Sequence, residues 1–329
     1  MKQMNERATQ ALFDRELITK EQYSEISNYR SLNIFSLNIE LKLFLYLSVV
    51  LFTSGIGILI YENIDTIGHS ILIGLVLIVT VICYYFSFKK APQFQKTQTE
   101  FESPVMEYVV LTANLLTCIF IGYLQLQYNT FGTNYDLATI IPTVIGLFSA
   151  YYFDNKNVLS LAITGLAAYI GLTVTPQSLL QNDFYNTASL SYAAIGLGTV
   201  LIAWNYYCSK INLKTHFSFI ILTFALHLIG ISCINNIIDH PYYFLFLIVL
   251  AAAAYYFYQC SYQLKAVSIF AFTVFYGFIG LNICIAKIID AIQLHDFFEF
   301  FIILSPFYSI GSIILFIQMI KKFNAEIKK

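Results

Sequence analysis

Leaving aside the two residues at either end, two of the acidic, basic and histidine residues fall inside long apolar runs, and these are the first places to look for chemistry, because an uncompensated charge in hydrocarbon is costly. They are Glu107, in PVMEYVVLTANLLTCIF, and His227, in FALHLIG. Glu107 stands about one turn into its run, where a helix N-terminus favours a carboxylate, so an interfacial cap competes with a proton or cation site. His227 reads either as a histidine hydrogen-bonded across helices or as a ligand or proton carrier. Asn114 and Asn282 are polar crossings of the same kind. A second set lies between the runs: His69, His240 and His295 with Asp65, Asp239, Asp296 and Glu299. Such donors can hold a divalent cation, and His295 with Glu299 would be an i, i+4 pair on a helix. No fixed ligand spacing recurs among them, so they read as solvated loop residues, and neither a metal nor a cofactor is expected. The sequence contains no G-x-S-x-G, Walker or H-E-x-x-H pattern. With no nucleophile and base at a recognisable spacing either, catalysis is the least supported class of function.

The elements that must position these residues are apolar helices. Hydrophobic residues make up 58% of the 329-residue chain, aromatic residues 17% and charged residues only 11%, against roughly 25% charged in an average soluble domain. That balance excludes a water-soluble fold and predicts an all-α, polytopic integral membrane protein. Runs of about 17 to 25 mainly apolar residues, the length that crosses roughly 30 Å of hydrocarbon, number ten. They are Leu43 to Tyr61, Ser70 to Phe88, Pro104 to Gln125, Leu137 to Phe153, Val158 to Val174, Ser189 to Tyr207, His216 to Ile234, Tyr242 to Tyr258, Ala266 to Ile288 and Phe298 to Ile320. Lysine and arginine alternate with them: of the 18 basic residues, Lys287 alone falls on the other side. The positive-inside rule then places both termini in the cytoplasm. A net charge of −1 and basic clusters no longer than Lys89-Lys90 or Lys321-Lys322 give no reason to expect nucleic acid as a partner. The bilayer itself is the expected partner. Three domains are expected: residues 1–40, 41–320 and 321–329, the last a short basic tail.

Before the first span, Thr19 with Gln22 fits a capping box that starts a second short helix after one over Ala8 to Leu17. The resulting helical hairpin is either a solvated lead-in or a docking module for a cytoplasmic protein partner. RELITKEQYSEI, Arg15 to Ile26, followed by a first span that ends in YENIDTIG, resembles the opening of an uncharacterised prokaryotic membrane family, domain of unknown function 2157. The chain departs from that opening at Glu16, where glycine is usual, and at Ile64, where tryptophan usually follows the asparagine. The resemblance covers about the first 65 residues and implies an architecture in the inner membrane of a prokaryote, with no activity attached.

Inside the spans, Tyr84, Tyr151, Tyr206 and Tyr255 precede lysine-bearing turns that each close a two-span hairpin, a pattern that is either a repeat or an aromatic girdle. Thr164, Ile170, Gly171 and Leu172 recur as Thr223, Ile229, Gly230 and Ile231, and again as Thr273, Ile279, Gly280 and Leu281. The spacing predicts parallel hairpin repeats with Gly171, Gly230 and Gly280 as packing positions. Gly55, Gly57, Gly74, Gly122, Gly146, Gly196, Gly198 and Gly277 fall in the same outer halves, which predicts a bundle tight outside. The aromatic inner halves either fill the wider space or line a pocket. From that pattern the chain reads as a carrier or binder of a small apolar or amphipathic ligand, with a non-catalytic scaffold that recruits partners through the hairpin as the alternative. One central proline, Pro306, is expected to interrupt a span.

Overall fold

A computed structural model describes residues 12–13, 18–31, 38–62, 68–174, 188–291 and 298–327. Among these residues every regular element is a helix: α1 (Lys20–Ser31), α2 (Asn38–Glu62), α3 (His69–Lys90), α4 (Pro104–Tyr128), α5 (Tyr135–Phe153), α6 (Lys156–Val174), α7 (Ala188–Lys210), α8 (Ser218–Asp239), α9 (Tyr243–Gln263), α10 (Val267–Ala291) and α11 (Phe298–Glu326), with a 3₁₀ turn at Thr215–Phe217. The chain is a polytopic membrane protein. Among the described residues nine helices are long and apolar enough to cross a bilayer. The sixth expected span, Ser189 to Tyr207, falls on α7, which is 23 residues long and is not among the nine.

The chain separates into two compact parts, Met1–Phe52 and Thr53–Lys329. In the first, the capping box forms as read: the Thr19 amide donates to Gln22 Oε1 at 2.9 Å, and the Gln22 amide donates to Thr19 Oγ1 at 3.3 Å. Two orphan donors at the start of α1 are thereby satisfied. The ring of Phe13 lies 4.9 Å from that of Tyr23 on α1. The rest of the expected first helix of the hairpin lies outside the described residues.

In the second part, antiparallel neighbours pair across the lysine-bearing turns: α3 with α4, α5 with α6, α7 with α8, and α9 with α10. These are the hairpins expected from sequence. They assemble into two quartets. In α3–α6 the helix that touches the other three is α4, and in α7–α10 it is α8. Half of the apolar stretch of α4 and 56% of that of α8 are buried, against 17% for α3 and 22% for α9, so these two helices are the cores of their quartets. Val76, Leu116 and Tyr123 form a small core between α3 and α4, joined by Ile56 and Ile73.

Three of the lysine-bearing turns share one backbone device. Asp154, Asn212 and Lys265 have φ of 58°, 53° and 50°. The amides that follow, of Asn155, Leu213 and Ala266, reach back to the carbonyls of Ala150, Cys208 and Ser261 at 3.0, 2.9 and 2.9 Å. Each helix therefore stops in a left-handed residue whose successor satisfies an otherwise open carbonyl. The cap recurs, but Tyr151, Tyr206 and Tyr255 stand at unequal distances from it, so the aromatic spacing is not the repeat's register.

Several expectations are corrected. Pro142 lies inside α5 and is buried, so Pro306 is not alone. Of the glycines expected at close helix contacts, Gly55, Gly57, Gly74, Gly122, Gly196 and Gly277 would carry a Cβ into open space. Tight approach is confined to a few crossings, because a small residue permits contact without causing it. Gly165, which the pattern did not single out, packs against Thr143. The last helix does not end at Ile320: it continues to Glu326, with Phe323 fully buried and stacked on Phe270 at 4.3 Å.

Candidate functional site

The most heavily built polar site joins three turns at the lysine-bearing end. After α5, Asp154 and Asn155 form the left-handed cap, and Asn155 then starts α6 by accepting the amides of Asn157 and Val158 on Oδ1 at 3.0 and 3.1 Å. Its Nδ2 donates to the Glu107 carbonyl at 2.7 Å. With its backbone so fixed, Asp154 presents a carboxylate whose side chain is only 1% exposed. After α7, Lys214 is also left-handed, with φ 45°, and its amide donates to the Lys96 carbonyl at 2.7 Å. The segment between α3 and α4 lies against both.

Lys214 is wholly enclosed, yet each of its three ammonium hydrogens has an acceptor: the Thr97 carbonyl at 3.0 Å, Thr99 Oγ1 at 3.3 Å and Asp154 Oδ2 at 2.9 Å. Its Nζ also sits 5.5 Å from the Phe94 ring centre. Asp154 Oδ2 further accepts the Thr99 amide at 2.6 Å, and its Oδ1 is engaged by His216 Nε2. A buried charge is tolerable when it is paired and its remaining hydrogen-bonding capacity is filled, and this cluster meets that condition. What the arrangement does chemically is hold. Residues 91–103 are strapped across the ends of α5 and α8, with Phe101 buried against Phe153 at 6.2 Å.

Asp154, Lys214, His216 and Thr99 are absent from the candidates read off the sequence, where Lys214 counted only as a topology charge. A signal existed: Asp154 is the sole acidic residue in the three short lysine-bearing turns.

Of the expected site residues, the structure brings two together. His227 Nδ1 lies 2.7 Å from the Tyr276 hydroxyl, and a Cβ at Gly230 would come within 2.7 to 2.9 Å of the same tyrosine ring. Gly230 thus lets Tyr276 lie across α8. Gly280 plays a similar part toward Leu250, whose Cδ2 is 2.5 Å from where its Cβ would be. Gly171 is buried. Asn282 accepts the Tyr308 hydroxyl at 2.8 Å, tying α10 to α11. Asn114 is 2% exposed and donates to the Val110 carbonyl, while its Oδ1 has no partner among the described residues. Glu107 is half-buried in the first turn of α4.

Two histidines of the expected loop set are committed elsewhere. His69 Nδ1 meets the Tyr123 hydroxyl at 2.7 Å, and His240 Nε2 meets that of Tyr192 at 2.9 Å. Among the described residues no group of three or more His, Cys, Asp or Glu is placed to hold a metal ion. Asp65, His295 and Asp296, with the side chains of Asp239 and Glu299, lie outside the described residues. Lys287, the exception to the charge alternation, donates to the Ile238 carbonyl at 2.9 Å and covers the Tyr243 ring at 4.8 Å, so it caps the end of α8.

Helix lengths, apolar faces and polar ends together define a multi-pass membrane protein. Residues 10–159 match the model of a family described as a predicted membrane protein, DUF2157. The resemblance drawn from the opening residues therefore extends through the whole of α5 and into α6. Comparison with the curated proteins and with the solved structures found no match.

Proposed function

We propose that this protein is a non-catalytic scaffold of a prokaryotic cell membrane, a ten-span bundle with both termini in the cytoplasm that recruits a protein partner at its lysine-bearing end. The observation that carries this reading is the Asp154–Lys214–His216–Thr99 cluster, which fuses three turns into one fixed surface. Ordering is costly, and a surface ordered in advance is the arrangement that favours docking. Helix α1, opened by the capping box, supplies the recruiting element. The same cluster supports ten spans. Asp154 and Lys214 meet at one end, so the chain between them crosses an even number of times, and α6 and α7 are the two long helices between them among the described residues.

The carrier reading loses the feature that suggested it. Tyr206 and Tyr255 are 69% and 67% exposed and face outward, whereas the Tyr151 hydroxyl is held by Trp204 Nε1 at 2.7 Å. The four tyrosines do not share a pocket lining.

A photoreactive residue placed at Gln98 on the strap, and separately at Glu25 on α1, tests the scaffold. One discrete protein adduct common to both, lost from the Gln98 variant when residues 1–36 are removed, is the expected result; absence of any protein adduct at both sites in intact cells would end the proposal. Orientation is read independently by cysteine labelling. A cysteine at Tyr135 should react with an impermeant reagent in intact cells, and one at Gln98 or Lys210 should not.

A further inference from the structure

His227 stands at the middle of the apolar stretch Thr215–Ile238, which puts its ring near the centre of the hydrocarbon. One ring nitrogen is spoken for. A phenol O–H is a stronger donor than an imidazole N–H and an imidazole nitrogen a stronger acceptor than a phenol oxygen, which favours the Tyr276 hydroxyl donating to Nδ1 and the neutral imidazole carrying its own proton on Nε2. No group among the described residues reaches Nε2. The ring is half-buried, Phe272 stands edge-on to it at 4.6 Å, and Phe272 and Phe275 are themselves 41% and 47% exposed. The ring therefore lies part-exposed in the seam between α8 and α10, beside two phenylalanines that are themselves exposed. Gly230 is part of the construction, since the ring of Tyr276 occupies the space a side chain there would need.

A bare donor at this depth is costly, because hydrocarbon offers nothing to accept it. Phospholipid headgroups and ester oxygens lie near the interfaces, roughly 15 Å from the midplane. We propose that the seam at His227 is a binding site, entered sideways from the bilayer, for a membrane-dissolved lipophilic molecule that carries a carbonyl oxygen. The oxygen accepts Nε2–H, and Phe272 and Phe275 lie against the apolar body. Tyr276 is a positioning residue that sets the tautomer and the angle of the ring. The site rests on the packing of α8 on α10 and is independent of the scaffold function.

Decylbenzophenone tests it, because its ketone is both the acceptor and the photoreactive group. In phosphatidylcholine nanodiscs it should label the 267–291 peptide saturably, and excess dodecanone but not dodecane should compete. His227→Leu should reduce labelling about tenfold, the loss of one hydrogen bond in an apolar setting, with the unfolding midpoint within a few degrees of wild type. His227→Gln retains a donor and should keep most of the labelling. Tyr276→Phe frees the ring to turn and should weaken it severalfold. The proposal is overturned by equal competition from dodecane, by unchanged labelling in His227→Leu, or by ready disulfide formation between two His227→Cys chains in the membrane, which would show that a second copy covers the seam. If His227→Leu does not fold, equal labelling of the glutamine and phenylalanine variants at this position overturns it as well.

Discussion

In the quartet α3–α6 the first helix is fastened to the core helix at the end away from the lysines by His69 to Tyr123 and Ser70 to Tyr128, at 2.7 and 3.1 Å. In the quartet α7–α10 the same two positions hold Tyr192 to His240 and Ser191 to Asn235, at 2.9 and 3.3 Å. Histidine and tyrosine have exchanged helices, and the seam is the same. At mid-height the two quartets part. Asn114 on α4 is enclosed, its Oδ1 3.5 Å from the position a Cβ on Gly146 would take and without a partner among the described residues. His227 on α8 turns instead to Tyr276 and leaves a nitrogen open. The tyrosines divide likewise: the Tyr84 hydroxyl is enclosed and Tyr151 is half-buried in the first quartet, while Tyr206 and Tyr255 face outward in the second. One backbone plan thus yields a closed core in the part that the family model matches and an open polar position in the part beyond it.

The largest effect should come from the tie between the quartets. Lys214→Met leaves Asp154 buried without its cation and is expected to cost about 3 to 5 kcal/mol in chemical unfolding in detergent micelles, with the double variant Lys214→Met, Asp154→Asn recovering part of the loss. If the quartets are separable, the single variant will also unfold in two transitions. A cost below about 1 kcal/mol would mean that the strap is held by something else.

Next come the tyrosines. Tyr151→Ala should cost about 3 kcal/mol, the low end for an aromatic cavity because the ring is half-buried, whereas Tyr255→Ala should stay within about 0.5 kcal/mol. Equal losses would erase the inward and outward distinction drawn above. A glycine pair sharpens it further. Gly230→Leu on α8 must displace the Tyr276 ring and should cost about 1 to 3 kcal/mol, while Gly122→Leu on α4 enters open space and should be close to neutral.

The smallest effects fall at mid-height and should differ in sign. His227→Leu loses one interhelical hydrogen bond, worth about 1 kcal/mol; Asn114→Leu removes a buried oxygen without a partner and should be neutral or slightly stabilising. Differential scanning of both variants decides it. Destabilisation by Asn114→Leu as great as by His227→Leu would show that the asparagine is satisfied in a way that makes the quartets alike.

The existence and order of the long helices, the capping box at Thr19 and Gln22, the pairing of hairpins across lysine-bearing turns and the family resemblance were all legible in the linear chain. Hydropathy is a sum along a run, and a cap is a contact between residues three apart, so neither needs knowledge of the fold. Which face of each helix turns inward was not legible. In water a buried face is more apolar than an exposed one, but lipid tails are as apolar as leucine, so the contrast that would give a helix its azimuth is missing. For that reason Gly230 and Gly122 look equivalent in sequence and differ in space, and Tyr151 and Tyr255 end the same kind of run and point opposite ways. Lys214 shows the same limit at the bundle's end: its charge is visible in the chain, but only the convergence of three distant turns makes it a buried partner of Asp154 instead of one more lysine in solvent.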